Sequence, residues 1–574
     1  MSEMGIFTRA AAKVRSACAV CAVLVVSPLM AADRAPADRL VPSGATVFFE
    51  ISDLPALKES WSKAALGQLW NSSQMAEFRK EIEAKYEEAL KDAEKEGVPL
   101  KALLELPQGE IAFAVVREED GPVGGVAFLD YGDKSKDLET ALNLLDKALE
   151  EKGAERSTDT VAGTEITVFT FKKDDGEEVP QKVAYCTKDE TLVFATSADL
   201  IEGVLGRWDG KSDECLAEDE VYGYIAEKCQ GDSEDIAFSY FASPIELVQG
   251  IMESNEELSF QAVVFNTYVQ SLGFGQLKGV GGAAEIGGED YDSWAKTFIY
   301  SDQPSKGVMK IFQFPAIKAE VPAWVEESVA QYSSFNWDAQ AAWQGILAVG
   351  DAVQSRQGAT AAMVDKLAKQ PPNIHIKKDV IDQLSGKLQL ISKGIEEGKD
   401  GGQPQEKQVF LLELKGESQI KDLIGRLAGM APQVEKRDFQ GTTIYEVPAG
   451  GALQPAFAVA NGQLMISTSV ESIEGILRTG KADKPLSANA DFKALMEDTP
   501  ETVSMFTFSR LDKALEGLYE MARTGKIDGL TEAEVDFSKL PEFDSVRKYF
   551  RPQMSYAIPD ENGAVIENFT LPLK

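Results

Sequence analysis

The chain has one histidine in 574 residues, His375. Zinc sites built on paired histidines and HExxH metalloprotease chemistry need more than one and are excluded. His375 lies in PPNIHI (371–376) with no acid or nucleophile close in sequence, and no GxSxG elbow occurs, so it reads as a bystander. Cysteine is nearly as scarce, with five residues, two of which (Cys18 and Cys21) fall inside an N-terminal apolar run. Basic residues are short too: 58 Lys and Arg face 93 Asp and Glu, for a net charge of −35. That balance argues against nucleic acid and anionic headgroups as partners, since both would be repelled over a Debye length of about 8–10 Å. Because the acids are spread along the chain, the surface reads as solvated and resistant to aggregation.

The N-terminus predicts export. Arg9, Lys13 and Arg15 lead into an apolar run at 17–29, followed by Met30, Ala31 and Ala32. This is the layout of a secretory signal peptide (1–31), too short for a membrane span, with cleavage expected after Ala31 or Ala32. Its loss would leave 55 basic and 92 acidic residues, a net charge near −37. No lipoprotein box precedes either N-terminal cysteine, and no later stretch approaches twenty apolar residues, so no anchor or span is expected in the mature chain. Cys186 reads as a small buried hydrophobe in a strand. A helix ending near Cys229 would hold it roughly 16 Å from Cys215, too far for a bridge.

What is present is a repeat. TLVFATSADLIEGVLGR (191–207) returns as QLMISTSVESIEGILR (463–478). Each copy reads as an apolar strand, a Thr-x-x-acid capping box (Thr196 with Asp199, Thr468 with Glu471) and a helix with an apolar face at Ile201, Val204, Leu205 or Ile473, Ile476, Leu477. Gly203 and Gly475 recur in mid-helix, where glycine costs about 1 kcal/mol against alanine, which predicts helices lying close to their sheets. Further matches follow in order. ATVFFEISD (45–53) answers QYSSFNWD (331–338), the turn at 106–109 answers 381–386, and the strand at 126–130 answers 409–413. Constant order with small drifts in offset indicates tandem duplication. The expected halves are 40–314 and 323–574, joined by a Pro-interrupted junction at 314–322. Strands and helices alternate irregularly, with hairpins such as the closing pair at 554–557 and 564–571. The fold class is therefore α+β, two similar tandem halves, each a largely antiparallel or mixed sheet covered by helices.

The motifs that could carry chemistry are near misses. GRWDGKS (206–212) has three residues between its glycines where a P-loop needs four, and it follows a helix; TGKA (479–482) at the matching place reads as a helix stop. GVGGAA (279–284) mimics a dinucleotide fingerprint but leads into another strand. Asp130, Asp133 and Asp137, or the acids at 174–178, lack the glycine and terminal glutamate of a calcium loop. Among so many acids a carboxylate pair for hydrolysis remains open, with no pair favoured. Phe48, Phe49, Trp61, Phe194, Phe335, Trp337 and Trp343 fall at strand or helix periods and read as mostly core.

ATVFFEISDLP after a signal peptide, WDAQAAWQGI at the restart, VIDQLSGKLQL and TSVESIEGIL together resemble a family of exported bacterial tandem-repeat proteins carrying a domain of unknown function. The resemblance covers nearly the whole mature chain and implies a periplasmic or extracellular location and a two-part α+β build, with no catalytic, cofactor or metal residues to carry over. The expectation is a non-catalytic binding or interaction protein of the bacterial envelope, its partner an envelope protein or an apolar ligand. The alternatives are a carrier with a groove between the halves and a carboxylate-dependent hydrolase.

Overall fold

The computed structural model describes residues 34–95, 99–117, 123–172, 182–231, 233, 235–255, 258–396, 405–448, 455–478, 482–527 and 535–573. Residues 1–31, read from the sequence as a targeting segment with Cys18 and Cys21, the acids at 174–178 and most of the 479–482 stretch lie outside them.

The first ten strands are β1 (Ala45–Ile51), β2 (Ile111–Arg117), β3 (Val123–Asp130), β4 (Glu155–Val161), β5 (Thr164–Thr170), β6 (Lys182–Lys188), β7 (Thr191–Ala195), β8 (Phe238–Ala242), β9 (Leu277–Ile286) and β10 (Ser293–Ser301). They pair in the order β4-β5-β6-β7-β3-β2-β1-β8-β9-β10, every pair antiparallel. The next ten are β11 (Gln331–Asn336), β12 (Leu384–Glu396), β13 (Gln405–Leu414), β14 (Glu435–Phe439), β15 (Thr442–Glu446), β16 (Ala456–Ala460), β17 (Gln463–Ser467), β18 (Met505–Arg510), β19 (Pro552–Asp560) and β20 (Gly563–Thr570). Their order is β14-β15-β16-β17-β13-β12-β11-β18-β19-β20, again antiparallel, so each strand has the neighbours of the strand ten places earlier. The two arrays are not separate sheets. β10 pairs with β20 from Ser293 opposite Thr570 to Tyr300 opposite Gly563, giving one twenty-stranded sheet. The molecule is α+β with a large antiparallel sheet.

Such a sheet has two free edges, which are natural templates for aggregation. They are β4 (ERSTDTV) and β14 (EKRDF), polar and exposed along nearly their whole length. The apolar strands fall in the middle, with one face on the cores and Phe113, Phe410 and Ile466 still exposed. The short helix α1 (Ala37–Leu40) packs into the core of the first array, and the other helices follow it along the chain. These are α2 (Leu54–Lys63), α3 (Ala65–Asn71), α4 (Ala76–Lys95), α5 (Leu100–Glu105), α6 (Ser135–Glu151), α7 (Ala198–Gly206), α8 (Glu220–Cys229), α9 (Pro244–Glu253), α10 (Ser259–Leu272), α11 (Ala339–Val353), α12 (Ala359–Ala368), α13 (Glu417–Met430), α14 (Val470–Arg478), α15 (Ala490–Glu497), α16 (Leu511–Ala514), α17 (Glu516–Arg523) and α18 (Phe543–Val546).

Helix α7 packs on β3 and β5–β7, α8 on β9 and β10, and α1 beside α7, around Phe48, Phe128, Ile201 and Phe298, while α14 and α15 pack on the second array around Tyr332, Leu411, Ile473 and Phe506. Tyr222 meets Phe48 and Phe241 edge-on, as Phe492 meets Phe508. A smaller core spans the arrays: Leu69, Met75 and Phe78 from α3–α4 close on Phe543, Val546 and Tyr549. The 314–322 junction is no loose linker, because Ile317–Lys318 pairs with Thr502–Val503. The core of the first array also begins before residue 40, with Ala37 fully buried.

Two local expectations are corrected. The helix caps are Ser197, which accepts from the Leu200 N–H, and Ser469, which accepts from Ser472. Thr196 and Thr468 instead accept from the Gly125 and Gln408 N–H groups of the adjoining strand, so the hydroxyl one residue earlier ties strand to strand. The glycines of the repeat do not mark close packing either. A Cβ on Gly203 would meet only the Arg207 guanidinium, at 3.2 Å, and one on Gly475 would meet nothing within 4 Å. The close approach lies in β9, under α8: a Cβ on Gly281 would sit 2.7 Å from the Tyr240 carbonyl oxygen and 2.9 Å from Ile225. That is the physical role of the glycines in 279–284. Replacing Gly281 by Val is therefore expected to cost on the order of 3 kcal/mol through overpacking. Gly475→Ala is expected to be neutral or to gain up to about 1 kcal/mol from helix propensity; urea unfolding of the two variants checks the contrast.

Candidate functional site

The residues singled out in the sequence do not converge. His375 is exposed, and its N–H donates to Asp379. In the 206–212 stretch Trp208 donates from Nε1 to Asp189, and Asp209 pairs with Lys211, so the loop is used in packing. Asp133 and Asp137 are exposed while Asp130 is buried elsewhere. Among the described residues no group of three or more His, Cys, Asp or Glu is placed to hold a metal. Cys186, Cys215 and Cys229 are free and buried; burial pushes the thiols of Cys186 and Cys229 up to about 12, where they are inert. Trp61 is exposed rather than core.

What the structure does assemble is a row of carboxylates at one end of the first core. Strand alternation places Glu50 on the core face of β1 with Phe48, and Asp130 on that of β3 with Phe128, while Glu110 stands just before β2. The segment before β1 folds over them. Arg34 is buried and pairs with Glu110 and Asp130, both at 3.0 Å, and its Nε donates to Thr191 at 2.8 Å. The Thr191 hydroxyl donates to Asp130, and the Ala37 N–H donates to Glu110. Ser239 donates to Glu50, and the Tyr222 hydroxyl to Asp38. Four acids thus surround one buried arginine. Burial, followed by the charges of Glu110 and Asp38, pushes Glu50 up to about 8; burial also raises Glu110, against the pull of Arg34, and Asp38, against its bond from Tyr222. Sequence reading passed over this row because its members lie far apart in the chain and each looks like an ordinary strand-end acid.

Two clefts lie in the other array. One, of about 520 Å³, is lined by Lys393, Lys513, Lys526 and Arg547 with Glu516 and Glu520. Arg547 is held by Glu516 and Asp544, and Lys513 donates to the Ser328 carbonyl, so two of those cations already serve the protein itself. The second cleft, beside Trp324 and Ile476, is only about 50 Å³.

The largest unexplained feature is a surface. Residues 258–277 contain no charged residue, twenty in a row in a chain that is 26% charged. They form α10 and the turn after it, and among the described side chains of α10 only Ala262 and Val269 are buried; Phe260 is 75% exposed and Val263 66%. α10 touches α9 on one side and α11 on the other, and these neighbours add the exposed apolar side chains Ile251 and Val353. The charge-free run was the signal available in the sequence. No described helix is long and apolar enough to cross a membrane. No protein-family model, curated protein or solved structure matches the chain.

Two outcomes follow from the acid row. Glu50 holds its proton in the folded protein up to about pH 8 but only to about 4.5 when unfolded, so folding takes up a proton between those values. The contribution of Glu50 to stability is greatest below the lower value, falls as pH rises through the window with a slope of up to about 1.4 kcal/mol per unit, and levels off above it. Glu50→Gln should flatten that slope and stabilise the protein at pH 8, read by urea titrations at pH 5, 6.5 and 8. Arg34→Met leaves Glu110 and Asp130 without their buried cation and should cost about 3–5 kcal/mol at pH 7, with less loss at pH 5.

Proposed function

We propose that the protein is a non-catalytic association module that works through the charge-free helix α10 and the exposed apolar side chains of the helices beside it. The observation that carries this reading is the exposure of Phe260 and Val263 on a helix within twenty uncharged residues of a strongly acidic chain. Contiguous apolar surface of this extent marks interaction sites, because water contact with it is costly. We also infer that the chain arose by tandem duplication, which the matched strand orders and the repeated 191–207 and 463–478 segments support. The export and envelope location suggested by the N-terminus belong to the same proposal.

The hydrolase reading draws on Glu50 and Glu110, a neighbouring acid pair with raised pKa values. Their oxygens are engaged by Ser239, Arg34 and the Ala37 N–H, and α1 lies over them, which favours a structural role. An apolar carrier groove between the arrays gains no support from the two clefts, both lined wholly by residues 324–547.

Site-specific photo-crosslinking in the native host tests the face. A photoreactive residue at Val263 or Tyr268 should give discrete adducts, and one at Thr160, exposed on edge strand β4, should give none. Equal labelling at all three positions, or none at any, would overturn the proposal.

A further inference from the structure

We infer that the partner seated on this face is a second copy of the chain, giving a symmetric dimer; the inference rests on the association face proposed above. Three observations lead there. The first is an asymmetry within the molecule. α3 and α4 follow β1 as α11 and α12 follow β11, and α17 follows β18 as α9 and α10 follow β8. At the contact of α3–α4 with residues 519–549, Leu69, Phe78, Phe543 and Val546 are all buried. At the corresponding contact of α11–α12 with α9–α10 the apolar side chains Phe260, Val263 and Tyr268 face outward. The first contact has a buried core of its own, although Leu66, Tyr86 and Leu518 of its helices are exposed, whereas the second leaves its largest aromatic, Phe260, 75% exposed.

The second is area. An aromatic side chain carries about 150–250 Å², so the exposed fractions of Ile251, Phe260, Val263, Val264, Tyr268 and Phe312 amount to roughly 600 Å². Two copies meeting through these side chains would bury about 1,200 Å² in all, the lower end of the range for specific, stable interfaces.

The third is charge. Two chains of net charge −35 repel one another, and contact through carboxylates would add their desolvation. The run 258–277 lets two copies meet without burying a charge from that segment. Its polar positions, among them Gln261, Asn266, Thr267 and Gln270, are all neutral, in keeping with the depletion of charge at the cores of interfaces. A helix lying on lipid typically carries lysine and arginine on its polar face, and α10 has neither.

Sedimentation velocity of the purified protein from 1 to 100 µM tests this, with Phe260→Asp/Val263→Asp and Thr160→Asp run alongside and their folds checked by circular dichroism. The expected result is a dimer for the wild type and for Thr160→Asp, with the dissociation constant raised at least tenfold in the double variant. Val263→Cys should form a disulfide-linked dimer under mild oxidation, which reads the contact without disrupting it. A wild type that stays monomeric at 100 µM, or a dimer unaffected by the double variant, would overturn the inference. A monomer that floats with phosphatidylcholine vesicles would assign the face to lipid. A monomer whose Val263 and Tyr268 photo-adducts are all to other proteins would keep the association face and refute the second copy, whereas absence of any adduct together with a monomer refutes both.

Discussion

The ladder between β10 and β20 is the contact on which the architecture rests. It joins the last strand of the chain to the last strand of the first array over eight residue pairs and turns two ten-stranded arrays into one sheet. Side chains reinforce the joint from both sides: Lys296 pairs with Glu567, and Asp560 receives bonds from Tyr224 and Lys228. The core of Leu69, Phe78, Phe543 and Val546 then fixes helices of one array against the other. An open sheet of this width is exceptional, since strongly twisted sheets seldom pass about ten strands without curling or splitting. Here width is reached by placing two arrays of ordinary size side by side and leaving polar strands at the two outer edges.

The arrays share their strand order but differ in how their cores end. In the first, the core face of β1 carries Glu50 opposite Ala112, and the core is closed by Arg34 among carboxylates. In the second, Ser334 stands opposite Gln389, and Gln389 accepts from the buried Tyr332 hydroxyl. Neutral hydrogen bonds there do what a buried ion network does in the first array. Buried charge is tolerated only when its partners are in place, so the order of residues 34–40 governs the first array in a way that has no counterpart among the second array's residues named here.

Most of the strands were legible in the sequence because their alternation and turn residues are local. The strands at 126–130, 409–413 and 564–571 and the strand–helix units at 191–207 and 463–478 fall within or close to the observed elements. β4 escaped because ERSTDTV carries the polarity of an edge and no apolar alternation. The β10–β20 ladder escaped because pairing between strands some 270 residues apart leaves no local mark. Thr196 was misread as a cap for a subtler reason: Thr and Ser stand side by side, and only the strand geometry decides which hydroxyl turns toward the helix. The candidate face was half legible, since the run free of charge is visible in the letters while its exposure depends on what packs around α10.

The distance along the chain between β10 and its partner gives Lys296 a role in time as well as in space. β10 is complete at Ser301, and β20 begins at Gly563. At a synthesis rate of about 5–20 residues per second the interval lasts roughly 15–50 s. Throughout it the strand SWAKTFIYS presents an unpaired edge. A lysine in the middle of such an edge discourages strangers from adding to it, because they would have to bury or oppose an ammonium group. The right partner brings Glu567 to that position, at 3.1 Å. The same charge that guards the waiting edge thus selects the strand that finally closes it.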